Sequence, residues 1–335
     1  MASLQSRVVS AAFTTLLKHQ PVDERQFLRR MRRVLDDLPM PSPAPRGVKI
    51  TKTTVANEPS VPPGVPGTWL LPPGEPRMTL VYLHGGAFIG GQLATYHGFC
   101  GQLAKRLQAR VFLADYRLAP ENPYPAAVDD AMAAYMALAA DYPDEPLVVG
   151  GDSAGGGLTL SLLLRLRDES KRPGAKKRDC PRMPICAFAL SPVADLTGRL
   201  PSRRANGRRD AMLNSAMADM ATDMYLAGHS ATDPHASPAY GNFKELPPLW
   251  LAVSEEEILR DDAYLVASKA RRAGGVAELI ARQGLPHVWP VFYWLIPEAR
   301  QDTALLADFI GRQYLEAQAN PPPRLATVNS AAANA

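Results

Sequence analysis

The spacing of apolar residues along the chain changes near Val48. Before that point they recur three and four positions apart, over residues 3–18 and again over 23–37, and each stretch predicts a helix with one apolar stripe. Asp23 and Glu24 open the second helix, where acids suit the positive end of the helix dipole. Its arginine-rich face reads as a solvated one. Prolines between Pro41 and Pro45 separate this helical region from the rest of the chain. From Val48 the texture becomes short β-branched and apolar runs. Residues 48–55, 68–71 and 78–83, divided by Pro/Gly turns, predict the first strands of a mixed sheet. Strand and helix then alternate: a strand at 111–114, an alanine-rich helix at 126–140, and a strand ending at Gly150 that leads into a leucine-rich helix. Strands at 185–190 and 249–253 come next, with helices near 261–273 and 298–316. Such alternation predicts a largely parallel sheet with helices on both faces.

Two stretches interrupt the alternation. Residues 165–182 are strongly basic and contain Pro173-Gly174, which predicts an exposed helix end and loop. No aromatic residues interleave with those charges, as stacking on single-stranded nucleic acid would require. Residues 200–228 carry Met212, Met217, Met220 and Met224 at roughly helical spacing. This segment fits a packed helical core and equally an adaptable wall over an apolar pocket. Residues 321–335, with Pro321-Pro322-Pro323 and then mostly small side chains, predict a flexible tail.

Composition narrows the partners. With 335 residues, 46% apolar and 21% charged, the chain reads as an ordinary soluble globular protein with a substantial core. A formal charge of +4 is too small for this length to argue for nucleic acid. No apolar run reaches the length of a membrane span. Near the N-terminus the short run from Val8 to Phe13 is succeeded by Lys18-His19-Gln20 instead of a small-residue cleavage site, so no signal peptide is expected. Cys100, Cys180 and Cys186 match no metal-ligand spacing and cannot all pair within one chain, which fits reduced thiols in the cytoplasm. Neither a metal nor a cofactor is expected.

The chemistry is concentrated in Gly151-Asp152-Ser153-Ala154-Gly155. A β-rich run precedes it and a leucine-rich helix comes after, the context a nucleophile elbow needs. Glycines on either side let the chain turn sharply and leave the serine oxygen standing clear. Upstream, Val81 to Phe88 is a strand ending in the loop His84-Gly85-Gly86-Ala87. Downstream, His287 comes after the serine, in the chain order of this type of triad. A serine hydroxyl is a weak nucleophile until a base takes its proton, and imidazole titrates near pH 6.5. His84 belongs to the upstream loop, His97 to the helix after it, His229 and His235 to a polar loop, and His19 to the N-terminal region. Asp152 sits on the elbow itself and reads as a structural partner for nearby loops. Together these stretches imply a serine hydrolase.

The motifs H-G-G-A-F at 84–88, D-Y-R-L-A-P-E at 115–121, Y-P-A-A-V-D-D at 124–130, G-D-S-A-G-G at 151–156, L-S-P-V-A-D-L at 190–196 and P-H-V-W at 286–289 resemble the hormone-sensitive-lipase branch of the α/β-hydrolase superfamily, bacterial carboxylesterase type. The resemblance implies an α/β-hydrolase fold, a mostly parallel central sheet flanked by helices, with a helical cap. Residues 1–45 would form an N-terminal cap region, and 46–320 a catalytic domain with a cap insertion at about 200–228. Catalysis would rest on Ser153, Glu257 and His287, with Gly85, Gly86 and Ala154 supplying the oxyanion hole. Ala87 stands where the family has a third glycine. Its triad acid lies in D-x-L-x-D, read here as Glu257-Ile258-Leu259-Arg260-Asp261, with Glu255, Glu256 and Asp195 as alternatives. The implied activity is hydrolysis of short- to medium-chain acyl esters through an acyl-enzyme. Its partner is a small-molecule ester, with no nucleic acid and no stable membrane insertion, and a homodimer is allowed. An amidase or formamidase would use the same triad. Some plant members are non-catalytic receptors that lack the triad histidine, whereas His287 is present here.

Overall fold

The computed structural model describes residues 2–18, 23–37, 42–56, 64–172 and 182–320. His19, Pro41, Cys180, the loop residues 173–181 and the expected tail at 321–335 lie outside the described residues.

Among the described residues eight strands form one sheet: β1 (Lys49–Val55), β2 (Val65–Leu71), β3 (Met78–Leu83), β4 (Ala109–Ala114), β5 (Leu147–Asp152), β6 (Cys186–Leu190), β7 (Leu249–Ser254) and β8 (Ala277–Arg282). Their order is β1-β2-β4-β3-β5-β6-β7-β8. β2 runs antiparallel to both β1 and β4, and every other pairing is parallel. The central strands β3, β5, β6 and β7 are buried throughout, because helices cover both faces. Their sequences are therefore continuous apolar runs without alternation. β1, at one edge, is mostly exposed and carries Lys49 and Lys52, charges that discourage edge-to-edge pairing.

The helices are α1 (Leu4–Leu17), α2 (Glu24–Arg32), α3 (His97–Leu107), α4 (Ala126–Asp141), α5 (Ala154–Ser170), α6 (Ser202–Ala205), α7 (Ser215–Leu226), α8 (Arg260–Arg272) and α9 (Pro297–Ala319). One face of the sheet packs on α3 and α9 through Phe99, Leu103, Leu306 and Phe309, and Phe13 of α1 joins that core. α4 and α5 cover the other face through Ala134, Leu138, Leu158 and Leu162. α8 packs beside α5 through Val266 and Ala267.

Two features depart from the pattern-based expectation. β8 is absent from that expectation, because Glu278 and Arg282 interrupt its short apolar run and as an edge strand it is only partly buried. The second helix ends at Arg32 and continues as one widened turn, Arg33–Asp37. From this turn Asp36 Oδ1 accepts the Gly91 amide at 2.7 Å, and Leu35 O accepts the Gln92 amide at 3.2 Å. Arg32 Nε donates to Ile89 O at 2.8 Å. The N-terminal region thus clips the loop after β3, besides packing above the sheet.

Candidate active site

Ser153 lies between the last residue of β5 and the first of α5, with φ 53° and ψ −119°. A non-glycine residue in such a conformation carries about 1–3 kcal/mol of strain, which its surroundings must hold. They do so through the backbone: Ser153 N donates to Leu190 O at 2.8 Å, and Val193 N donates to Ser153 O at 3.0 Å. The glycines of the motif are required by close approach. A Cβ on Gly151 would lie 2.4 Å from the carbonyl oxygens of Gly155 and Leu83, and one on Gly155 would lie 2.0 Å from Leu83 O.

From later in the chain come Glu257 and His287. His287 Nε2 lies 2.9 Å from Ser153 Oγ, and its Nδ1 lies 2.6 Å from Glu257 Oε2. Because a carboxylate only accepts, Nδ1 carries the proton toward Glu257, and Nε2 is left to accept from the serine hydroxyl. Glu257 is only 1% exposed. Its Oε1 accepts from Ser191 Oγ and from the Ser254 amide, both at 2.8 Å. Ser191 Oγ in turn accepts the Val288 amide at 3.2 Å, which ties the histidine's own loop to the acid's partner. Asn206 Nδ2 holds the main chain on either side, donating at 2.8 Å to Glu255 O and Glu257 O. Asp210 Oδ2 accepts the Ile258 amide at 2.9 Å. Burial pulls the His287 imidazole down, but the charge and hydrogen bond of Glu257 outweigh it, and the group ends above its ordinary 6.5.

The alternative acids are engaged elsewhere. Glu255 Oε1 accepts from Tyr264 OH at 2.7 Å, and Glu256 Oε2 accepts the Gly284 amide at 2.7 Å. Asp195 Oδ1 accepts the Thr197 amide at 2.8 Å. The sequence assigns no role to Ser191, Ser254, Asn206 or Asp210. Only Ser191 lies inside a recognised motif, and single polar residues on scattered loops leave no pattern.

One expectation for the oxyanion loop needs correction. The Gly85 amide donates to Asp152 Oδ1 at 2.9 Å, so it is already committed within the protein. Asp152 also accepts from Tyr82 OH at 2.8 Å, and burial pushes its carboxyl up to about 6 against those hydrogen bonds. It anchors the loop, the role expected of it. Among the described residues the Gly86 and Ala87 amides make no hydrogen bond, and the Ala154 amide at the start of α5 has no helical partner. The oxyanion donors that the fold leaves available are therefore Gly86, Ala87 and Ala154. Gly86 has φ 123° and a Cβ there would meet Gly90 O at 1.9 Å, whereas Ala87, at φ 56°, tolerates a methyl group. His84 is fully buried, and burial lowers its pKa to about 4, so it stays neutral.

Ser153 opens into a narrow cavity of about 50 Å³, walled by Phe27 and Met31 of α2, Phe88 of the oxyanion loop, and Met217 of α7. Phe88 stacks on Tyr225 with centroids 3.8 Å apart, which fixes the loop against α7. Of the four methionines singled out by spacing, Met217 lines the cavity. Met212, Met220 and Met224 pack against the cores instead. A larger open groove of about 540 Å³, bordered by Asp129, Arg165, Lys171 and His235, contains none of the residues around Ser153. Among the described residues no group of His, Cys, Asp and Glu is arranged to hold a metal ion, and no helix is long and apolar enough to cross a membrane.

Comparison with known proteins agrees with this architecture. A family model for the alpha/beta hydrolase fold matches residues 80–291. An acetyl-hydrolase of Streptomyces hygroscopicus is 34% identical over 243 residues, covering 72% of this chain and 78% of that protein. An esterase of Acinetobacter venetianus is 32% identical over 248 residues, covering 73% of this chain and 78% of its own. The crystal structure of an esterase/lipase from an uncultured bacterium superposes with a TM-score of 0.80 at 30% identity, covering 94% of this chain and 100% of that one. An esterase from the bacterial hormone-sensitive lipase family gives a TM-score of 0.78 at 30% identity, with the same coverage. The chain belongs to the α/β-hydrolase fold family, in its hormone-sensitive-lipase-like bacterial esterase branch.

Proposed function

We propose that the chain is a carboxylesterase in which Ser153 is the nucleophile, His287 the general base and acid, and Glu257 the orienting acid. The supporting observation is the continuous hydrogen-bond path from Ser153 Oγ through His287 to Glu257, beside an apolar cavity. His287 Nε2 takes the hydroxyl proton as Ser153 Oγ bonds to the ester carbonyl carbon. Negative charge then develops on the carbonyl oxygen, opposite the amides of Gly86, Ala87 and Ala154, each worth about 2.7–4 kcal/mol to such a transition state. Collapse breaks the bond to the alcohol oxygen, which leaves with the proton from His287. Water, deprotonated by the same imidazole, hydrolyses the acyl-enzyme and frees Ser153.

A cavity this small favours short acyl groups. Within it each further buried methylene adds about 0.8 kcal/mol until the wall is reached. The proposed compartment is the cytoplasm, consistent with the free thiols of Cys100 and Cys186. The direct test is Ser153→Ala with p-nitrophenyl butyrate, together with a serine-directed phosphonate. Turnover should fall by about six orders of magnitude, and the phosphonate should label the wild type once, at Ser153. Activity surviving in Ser153→Ala, or label on another residue, would overturn the assignment.

A further inference from the structure

Arg203 is the one charged side chain on the wall of the cavity beside Ser153 among the described residues. It belongs to the short helix α6 and is 6% exposed. Its Nη2 donates to Asp219 Oδ1 at 3.1 Å, but that carboxylate sits on the outer side of α7 with 61% of its side chain in solvent. Its Nε–H is buried and has no hydrogen-bond partner in the described structure. A guanidinium cannot shed its proton to escape that situation. Burial without a partner is among the costlier states for a polar donor. Asp262, the buried carboxylate nearby, already spends Oδ1 on the Ala194 and Asp195 amides, and burial pushes it up to about 7. It is a weak counter-charge at neutral pH. The other polar side chains on the cavity wall, Ser153 and Thr222, make no hydrogen bond to this Nε–H, and the rest of the wall, such as Phe27, Leu196, Leu213 and Met217, is apolar.

We propose that Arg203 is a specificity-determining residue that receives a carboxylate of the substrate, so that the preferred substrates are esters carrying a second, anionic carboxylate a few atoms from the scissile bond. This rests on Ser153 being the nucleophile beside the cavity. A neutral alkyl ester leaves Nε–H unsatisfied, whereas a carboxylate supplies the missing acceptor and the counter-charge together. A site with such a donor discriminates against ligands that lack the acceptor. The carboxylate has two possible positions in an ester, on the acyl part or on the alcohol part, and both present the same chemistry to Arg203.

Three esters separate these cases in a pH-stat assay: ethyl butyrate, monoethyl succinate with its carboxylate on the acyl side, and 3-acetoxypropanoate with its carboxylate on the alcohol side. For the wild type, kcat/KM for one of the two charged esters should exceed that for ethyl butyrate by about tenfold or more. Arg203→Met should erase that ratio, and Arg203→Lys should keep part of it, since an ammonium retains the charge but not the planar fork. Asp219→Asn, which removes the competing carboxylate from the surface of α7, should raise the ratio. Should Arg203→Met fail to fold, competition in the wild type decides: succinate should inhibit p-nitrophenyl butyrate hydrolysis competitively, and succinamide should not. Ethyl butyrate outpacing both charged esters, or succinate and succinamide inhibiting alike, overturns the proposal. Failure of the Ser153 assignment beneath it would show separately, as p-nitrophenyl butyrate turnover that survives in Ser153→Ala.

Discussion

The strand-end machinery and the helices that roof it are held by different means. Around Ser153 the constraints are backbone approaches and buried hydrogen bonds. Gly151 and Gly155 are pressed against Leu83, the Ser153 amide is fixed to Leu190, and both oxygens of Glu257 are occupied. The roof is fixed mainly by side-chain packing: Phe27 and Met31 of α2 meet Met217 and Ala221 of α7 in one apolar cluster. A backbone approach of about 2 Å admits one residue type, whereas a packed cluster tolerates many combinations of similar volume. The geometry of the chemistry is therefore rigid, and the shape of the pocket is adjustable. Substitutions in the two regions should separate accordingly, with large losses of turnover below and changes of preference above.

The largest effect after loss of the nucleophile should come from Glu257→Gln. Without an anion at Nδ1 the histidine loses its tautomer and its stabilised imidazolium, and turnover should drop by about four orders of magnitude. Glu256→Gln should stay within a few-fold, because Glu256 is tied to Gly284 and not to the histidine. The acid limb of the pH profile is set by the same pair. His287 must be neutral to act as base, and its raised pKa means that this form is lost as pH falls through a value above 6.5. The limb of kcat/KM should thus sit above that of free imidazole in the wild type and move down in Glu257→Gln. The linkage has the opposite sense for stability. A raised folded-state pKa gives a contribution fully present below 6.5 and lost as pH rises through the folded value. A wild-type acid limb below 6.5 would contradict the pairing.

A smaller effect is expected from the clip between the two regions. Arg32 reaches Ile89 O and Ala119 O, and Asp36 holds the Gly91 amide, so the widened turn after α2 steadies the oxyanion loop from above. Arg32→Met should lower kcat by about tenfold, well inside what a misplacement of about 1 Å can cost. The loss should be equal for acetate and hexanoate esters, since the loop serves the carbonyl common to both. A loss confined to long chains would make Arg32 part of the pocket wall instead.

Legibility in the sequence obeys the same division. The elbow and the strand before it are readable because the G-x-S-x-G spacing records backbone crowding that only glycine survives, and His287 is readable from its place after the serine in the chain. Glu257 is readable only by alignment to a family motif, with Glu255 and Glu256 beside it offering identical chemistry. What separates them is which side chain meets the Ser191 hydroxyl and the Ser254 amide, a fact of loop geometry. Gly85 is misassigned from sequence because two adjacent glycines look alike there, and only the position of Asp152 Oδ1 shows which amide is spent. The methionines at 212–224 are visible as a pattern, but helical spacing does not say which of them faces the cavity. Arg203 gives no signal at all, since an arginine in a basic stretch reads as solvated until its burial is seen.

Within the roof, Met217→Ala should act on preference. Met217 is buried and lines the cavity, so truncation should cost about 2–5 kcal/mol of stability and leave added volume beside Ser153. The optimum among p-nitrophenyl esters should move to a longer acyl chain, with kcat/KM for the acetate ester changed only a few-fold. An optimum that stays in place would remove α7 from the acyl wall.

The smallest effect on turnover should come from α1, although the sequence groups it with α2 as part of the cap. Its contacts lead away from the cavity. Phe13 packs on Phe292 with ring centroids 4.9 Å apart, and Ser3 and Ser6 bind Glu298 at the start of α9. Its C-terminal end donates to main-chain oxygens of the cap insertion, through Thr14 to Ala211 and Lys18 to Arg208 and Asp210. None of its residues lines the cavity, whereas α2 contributes Phe27 and Met31. Phe13 is nevertheless buried in the core that covers α3 and α9. Phe13→Ala should therefore cost about 3–5 kcal/mol of stability, read as a lower denaturant midpoint. Its chain-length profile at a temperature where the variant is folded should match the wild type. Phe27→Ala, of equal volume change, should destabilise similarly and shift the profile. If Phe13→Ala shifts the profile as far as Phe27→Ala does, both helices belong to the roof, and the division drawn between them is wrong.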